Sequence, residues 1–150
     1  RGGGMIRDLV VRELRSRLEE AGLTVELWNG EDAPVPLGRC SFRTVFPGVV
    51  EAWTSRSRAR ERVLCLGGAL KLVLCDRRAG SPTEGEVQEI FLGEYRFREV
   101  IVPPGVLRGW KAVGDRPALV LSCLEGEEKE AACISPEEAG VPYDWEIVMK

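Results

Sequence analysis

The chain has no histidine among its 150 residues. Histidine alone has an unperturbed pKa near neutrality, and as neutral imidazole it is the commonest metal ligand. A general base or a metal site must therefore be built here from other residues. Side-chain amides are nearly missing too, with Asn29 and Gln88 alone, whereas 30% of residues are charged. That balance leans towards a thermophilic source. No apolar run approaches the ~20 residues of a membrane span, and no charged-then-apolar signal segment opens the chain. A cytoplasmic protein without a membrane partner is expected. The net charge of −3 supplies no bulk attraction to nucleic acid. Cysteine is present as Cys40, Cys65, Cys75, Cys123 and Cys133. An odd count without a CxxC pair speaks against a zinc cluster and a secreted disulfide framework. Burial as small apolar residues is the expected role of most of them, although an intracellular disulfide stays open in a thermophile.

What is there fits one domain, residues 5–150, able to bury about two-thirds of the surface its unfolded form exposes. Arg1 to Gly4, ahead of Met5, read as a cloning remnant. From Ser41 to Leu124 short apolar runs alternate with turn residues, the signature of an antiparallel sandwich or barrel. Phe42–Val45, Val49–Trp53, Val63–Leu66, Leu70–Cys75, Val87–Leu92, Val100–Val102 and Leu119–Leu124 are predicted strands. Between them Pro47-Gly48, Gly67-Gly68, Gly80-Ser81-Pro82, Gly93, Pro103-Pro104-Gly105 and Gly114-Asp115 supply turns. There is no room for crossover helices, which excludes a parallel α/β sheet.

The ends are open to two readings. Asp8 to Gly22 suits an amphipathic helix through Leu14, Leu18 and Ala21, capped by Asp8 and ended by Gly22. It suits equally a strand over Leu9–Leu14 followed by a second over Thr24–Trp28. Glu125 to Glu138, acidic and alanine-rich, reads as a solvated turn or short helix before the closing Val141–Ile147.

Gly48-x5-Thr54-x-Arg56-x4-Glu61-x6-Gly68 resembles the first cupin motif, with Thr54 and Arg56 where that motif has histidines. Pro103-Pro104-Gly105-Val106-Leu107-Arg108 resembles the second, with Arg108 at its histidine position. A narrower likeness rests on Asp76-Arg77-Arg78-Ala79-Gly80-Ser81-Pro82-Thr83-Glu84-Gly85 and on Val102 to Trp110. Both are similar to the RmlC-like cupins of the dTDP-4-dehydrorhamnose 3,5-epimerase family, and Pro142 to Ile147 is similar to the tail of one branch. The resemblance implies an all-β, cupin-type double-stranded β-helix, or jelly-roll barrel. It also implies a homodimer paired through the N-terminal strand and sheet edges, and a metal-free reaction with no cofactor. In that reaction a histidine base removes a proton beside the sugar ketone, and a tyrosine returns one from the opposite face.

The family's chemical groups are not at their positions here. Thr54 stands for the base, and its hydroxyl is no useful proton acceptor at neutral pH. Arg108 stands for a second histidine and stays protonated. The family's arginine before the base aligns with Glu51, and its lysine falls near Glu61. The tyrosine would fall near Leu124 to Glu127, and Tyr95 and Tyr143 do not match it. What carries over is binding. Strand alternation puts Val50, Ala52, Thr54 and Arg56 on one face, the motif places that face on the barrel lining, and Arg108 points into the same mouth, with Arg58 and Arg60 near its rim. Thr54, Arg56, Arg108, Glu61 and Trp110 form the expected site, with Arg56 and Arg108 gripping the paired oxygens of a diphosphate or carboxylate.

Each residue also has a plainer role. Arg56 and Arg108 can pair with Glu61, Glu51 or Glu89 and close the pocket. Arg56, Arg58, Arg60 and Arg62 can be a solvated hairpin rather than a nucleic-acid contact. Trp53 and Trp110 suit the barrel wall better than a stacking platform. Glu61 without imidazole or thiolate partners is a poor metal site, and Cys65 and Cys75 suit packing better than nucleophilic work. Asp76 to Gly85 reads as a structural turn with solvated or capping charges. The expected function is binding of a nucleotide-sugar or other anionic small molecule without the family's chemistry. The alternatives are a non-catalytic interaction protein whose pocket is closed by Arg–Glu pairs, and an epimerase using Glu51 or Glu61 as substitute base.

Overall fold

The computed structural model describes residues 5–128 and 131–146. The expected remnant at residues 1–4 and Ile147 of the closing run lie outside the described residues. The elements are β1 (Val10–Glu13), β2 (Arg15–Glu19), β3 (Gly22–Glu26), β4 (Leu37–Val45), β5 (Val50–Ser55) and β6 (Arg60–Gly67). They continue with β7 (Ala69–Asp76), β8 (Val87–Gly93), β9 (Arg98–Val102), β10 (Val106–Val113), β11 (Ala118–Glu125), β12 (Ala132–Cys133) and α1 (Pro136–Ala139). The fold is all-β. Two five-stranded antiparallel sheets, ordered β1-β9-β6-β11-β4 and β12-β5-β10-β7-β8, form the two walls of the jelly roll, and β2 and β3 pair only with each other.

The apolar runs lie on β4 to β9 and β11, and Val and Leu on alternate positions explain why. On β7, Leu70, Leu72 and Leu74 join Val63, Cys65, Val100, Trp110 and Val120 in the core between the sheets. Each such side chain, fully buried, contributes about 1.5–3 kcal/mol. The intervening Val73 and Cys75 face outward, where they meet Trp53 and Leu107 under a cover of Ala139, Val141, Tyr143 and Trp145. One sheet thus has apolar residues on both faces, and the C-terminal segment closes the second. Lys71 and Lys111 each donate to the Trp145 carbonyl at 3.2 Å, with the Lys71 ammonium 5.1 Å from the Tyr143 ring centre. Helix α1 is a single turn, N-capped by Ser135 and ended by Gly140 in the left-handed region. Among the described residues no helix is long and apolar enough to cross a membrane.

The structure differs from the sequence reading at two places. The helical reading of Asp8 to Gly22 fails: Val10 and Val11 pair with Ile101 and Val100 of β9, and Leu18, meant for the buried stripe, is 81% exposed. Burial falls instead on Ile6 and Leu9. Strand β10 was not among the predicted runs, because Arg108, Gly109 and Lys111 break its apolar pattern. Of the two roles read for the charges of the 76–85 turn, Asp76 takes the capping one and is fully buried. It accepts from Arg78 Nε at 2.9 Å, Ser81 Oγ at 2.7 Å and Thr83 Oγ1 at 2.6 Å. Burial pushes its carboxyl up, but these donors outweigh it and hold the group well below the usual carboxylate range.

Candidate functional site

A cavity of about 420 Å³ opens beside β5, lined among others by Arg43, Glu51, Thr54, Arg56, Arg108 and Cys133. Strand β5 has β12 on one side and β10 on the other: Cys133 pairs with Thr54, and Arg108 pairs with Thr54 from the opposite edge. A shift of register between Arg108 and Trp110 sets Trp110 against Glu51. The extra residue changes which positions of β5 turn inward, as a bulge does. Glu51 therefore reaches the barrel interior together with Thr54, which simple alternation of Val50, Ala52, Thr54 and Arg56 does not give.

Two carboxylates organise the arginines. Glu61, on β6, is 1% exposed and takes Arg108 in a two-point grip, Nε at 2.8 Å and Nη2 at 2.9 Å. Ser122 of β11 donates to the same carboxylate at 2.6 Å, and Arg56 Nη2 lies 3.9 Å away. Burial pushes the Glu61 carboxyl up, while the Arg108 charge and hydrogen bonds, Ser122 and Arg56 bring it below its ordinary value. Glu51 accepts from Trp110 Nε1 at 2.8 Å and from Arg43 Nη2 at 2.6 Å. Its carboxyl is likewise lowered, by Trp110 and Arg43 against a desolvation that raises it. The Arg108 guanidinium stacks 3.9 Å from the Trp110 ring centre. Arg56 differs from its neighbours, since its Nε is buried without a hydrogen-bond partner.

Of the expected site, Thr54, Arg56 and Arg108 line the cavity. Glu61 and Trp110 stand behind them as supports, and Trp110, wholly buried, offers no face to a ligand. The plainer reading of Trp53 also holds, as a member of the outer apolar cluster. Glu89 is no partner of either arginine and accepts instead from the Tyr143 hydroxyl. The arginine run does not act as one unit. Arg60 pairs with Glu125 at 2.6 Å, and Arg62, buried rather than solvated, joins Glu125 at 2.6 Å and Glu99 at 3.4 Å. Arg43, Ser122 and Cys133 were missed. Arg43 shares the inward phase of β4 with buried Val45, a signal present in the sequence; Ser122 and Cys133 carry none.

Chemically the site is a cleft of guanidinium groups braced by two ionised carboxylates. Glu61 already accepts three hydrogen bonds, and among the described residues no three carboxylates or thiols gather as a metal cluster. Tyr143 lies in the outer apolar layer, where burial and the Glu89 hydrogen bond raise its hydroxyl pKa. It is not among the cavity-lining residues.

The family model for dTDP-4-dehydrorhamnose 3,5-epimerase matches residues 5–150. The chain belongs to that family. It is 27% identical over 146 residues to the "Probable low-salt glycan biosynthesis epimerase Agl13" of Haloferax volcanii, covering 93% of this chain and 89% of the relative. Among solved structures it is similar to a dTDP sugar isomerase from Desulfovibrio desulfuricans, with 29% identity, a TM-score of 0.84 and coverage of 93% and 92% of the two chains. ChmJ, a 3'-monoepimerase from Streptomyces bikiniensis in complex with dTDP-quinovose, shares the fold at a TM-score of 0.83 with 17% identity, over 100% of this chain and 81% of that one.

Proposed function

We propose that this epimerase-family chain binds a nucleotide-sugar, or another anionic small molecule, in the cavity beside β5 without the histidine and tyrosine chemistry of the family. The observation that carries the reading is Arg56. Its side chain lines a cavity of about 420 Å³, a volume in the range of small-molecule sites, and its Nε has no hydrogen-bond partner within the protein. A phosphate group in the cavity meets the Arg56 guanidinium, with Thr54 and Arg43 also on the lining. The substitute bases are poorly suited to proton abstraction. Glu51 and Glu61 both have lowered pKa values and oxygens committed to donors, whereas an efficient base is poised near the working pH.

The test is a thermal shift with dTDP and dTDP-sugars at millimolar concentration. A ligand at 100 times its Kd adds about 2.7 kcal/mol, a rise in Tm of roughly 5–10 °C for a chain of this size. Arg56→Gln should abolish the rise while leaving the unliganded Tm close to that of the parent. Absence of any shift with nucleotide-sugars, dTDP or pyrophosphate would overturn the proposal. It would favour the second reading, a closed non-catalytic pocket, which the Arg108–Glu61 and Arg43–Glu51 pairs support. Solvent deuterium incorporation into a dTDP-4-keto-6-deoxy sugar would instead support turnover through a carboxylate.

A homodimer is part of the same proposal. Among the described residues the β2–β3 hairpin pairs with no other strand, and it carries Leu18 and Leu23 into solvent. A second copy gives those leucines a partner.

A further inference from the structure

Two cysteines that sequence spacing does not connect face each other across the first sheet. Cys40 on edge strand β4 is the direct register partner of Cys123 on β11, within a run of paired residues from Val45–Ala118 to Cys40–Cys123. Directly opposed residues of antiparallel strands have Cα atoms about 4.5 or 5.5 Å apart, inside the roughly 4.4–6.8 Å that a disulfide spans. The side chains of an opposed pair emerge on the same face of the sheet. Cys40 also acts on Cys123 through a side-chain hydrogen bond, so the two sulfurs are neighbours. Both are free thiols, Cys40 exposed and Cys123 buried.

We propose that Cys40 and Cys123 form a redox-dependent cross-strand disulfide that staples edge strand β4 to β11. The chemistry needs only a low-molecular-weight disulfide as oxidant. The Cys40 thiolate attacks one sulfur of RSSR, forming Cys40–S–S–R and releasing RS⁻. Cys123, giving up its proton, then attacks the Cys40 sulfur, forming the protein disulfide and releasing a second RSH. Two protein thiols are oxidised and one external disulfide is reduced to two thiols. Exposure decides the order. Burial and Cys40 itself push the Cys123 thiol up to about 12, and the thiolate is the attacking species, so Cys40 meets the oxidant and Cys123 resolves. The staple matters to the site because β4 also carries Arg43, three residues along, which pairs with Glu51 in the cavity wall.

Peptide mapping reads the result without ambiguity, since tryptic cleavage at Lys and Arg puts each of the five cysteines in a peptide of its own. The intact protein is incubated with oxidised glutathione, digested without reduction and weighed. The expected product is the Cys40 peptide, residues 40–43, joined to the peptide containing Cys123, with loss of two hydrogens. The oxidised protein should melt about 5–10 °C higher than the reduced form, and dithiothreitol should reverse the rise. Cys40→Ser should lose both the cross-link and the rise, and Cys123→Ala should stop at one glutathione on Cys40. Three results would overturn the proposal: glutathione remaining on Cys40 of the parent protein, a cross-link from Cys40 to Cys133 or to a second chain, or an oxidised form that melts lower.

Discussion

The pairing of Arg108 with Glu61 shows how an arginine is accommodated in the interior of this barrel. A guanidinium cannot shed its charge, so its burial requires an anion, and Glu61 supplies one with both oxygens engaged. Breaking a buried pair from one side leaves an uncompensated charge that costs about 3–5 kcal/mol. Arg108→Ala should therefore lower unfolding stability by that amount in urea titration, more than Arg108→Ala combined with Glu61→Ala. The pH dependence follows from the direction of the shifts. The folded pKa values of Glu51, Glu61 and Glu125 lie below their ordinary values, so their stabilisation is complete above the unfolded carboxylate pKa of about 4.3. It is lost as pH falls through the lower folded values. Tm should be flat from neutrality to about pH 5 and fall steeply below about pH 4, which a calorimetric pH series checks. The sequence located Thr54, Arg56 and Arg108 because glycine and proline anchors fix the frame around them. It offered Glu61 as their partner among three carboxylates, but not the further donors to Glu61 and Glu51, since Ser122 and Arg43 arrive from strands on the opposite sheet.

Elements were legible where alternation was clean and illegible where charge entered a buried strand. Strand β10 escaped detection because Arg108 and Lys111 look like solvent residues until Glu61 and the Trp145 carbonyl are in place. Gly109 between them is required by packing. A Cβ there would lie 2.8 Å from the Ala52 Cβ and 2.9 Å from the Trp145 ring. Gly109→Ala should thus displace the C-terminal segment from the second sheet, costing about 1–3 kcal/mol as overpacking does. Loss of tryptophan fluorescence burial without loss of strand content by circular dichroism would report it. The N-terminal elements were ambiguous for a related reason: Leu14, Leu18 and Ala21 keep helical spacing, and the backbone is settled by pairing of Val10 and Val11 with β9 and of Leu18 with Leu23.

For the whole molecule, turn residues between short apolar runs were enough to specify an antiparallel barrel, since every connection is too short for a crossover. The exposed hairpin is where that completeness ends. Replacing Leu18 and Leu23 together by glutamate should convert the proposed dimer to a folded monomer, measured by light scattering, because neither side chain supports the core of its own chain. The chain carries a net charge of −3, yet the cavity wall brings Arg43, Arg56 and Arg108 together against two carboxylates. For the proposed anionic ligand, the negative net charge opposes approach at long range, and the three guanidiniums attract it only within about one Debye length, ~8 Å at physiological ionic strength. Salt then has opposite effects on the two halves of the encounter. It speeds arrival by screening the outer field and shortens residence by weakening the inner one, the reverse of the usual electrostatically steered association.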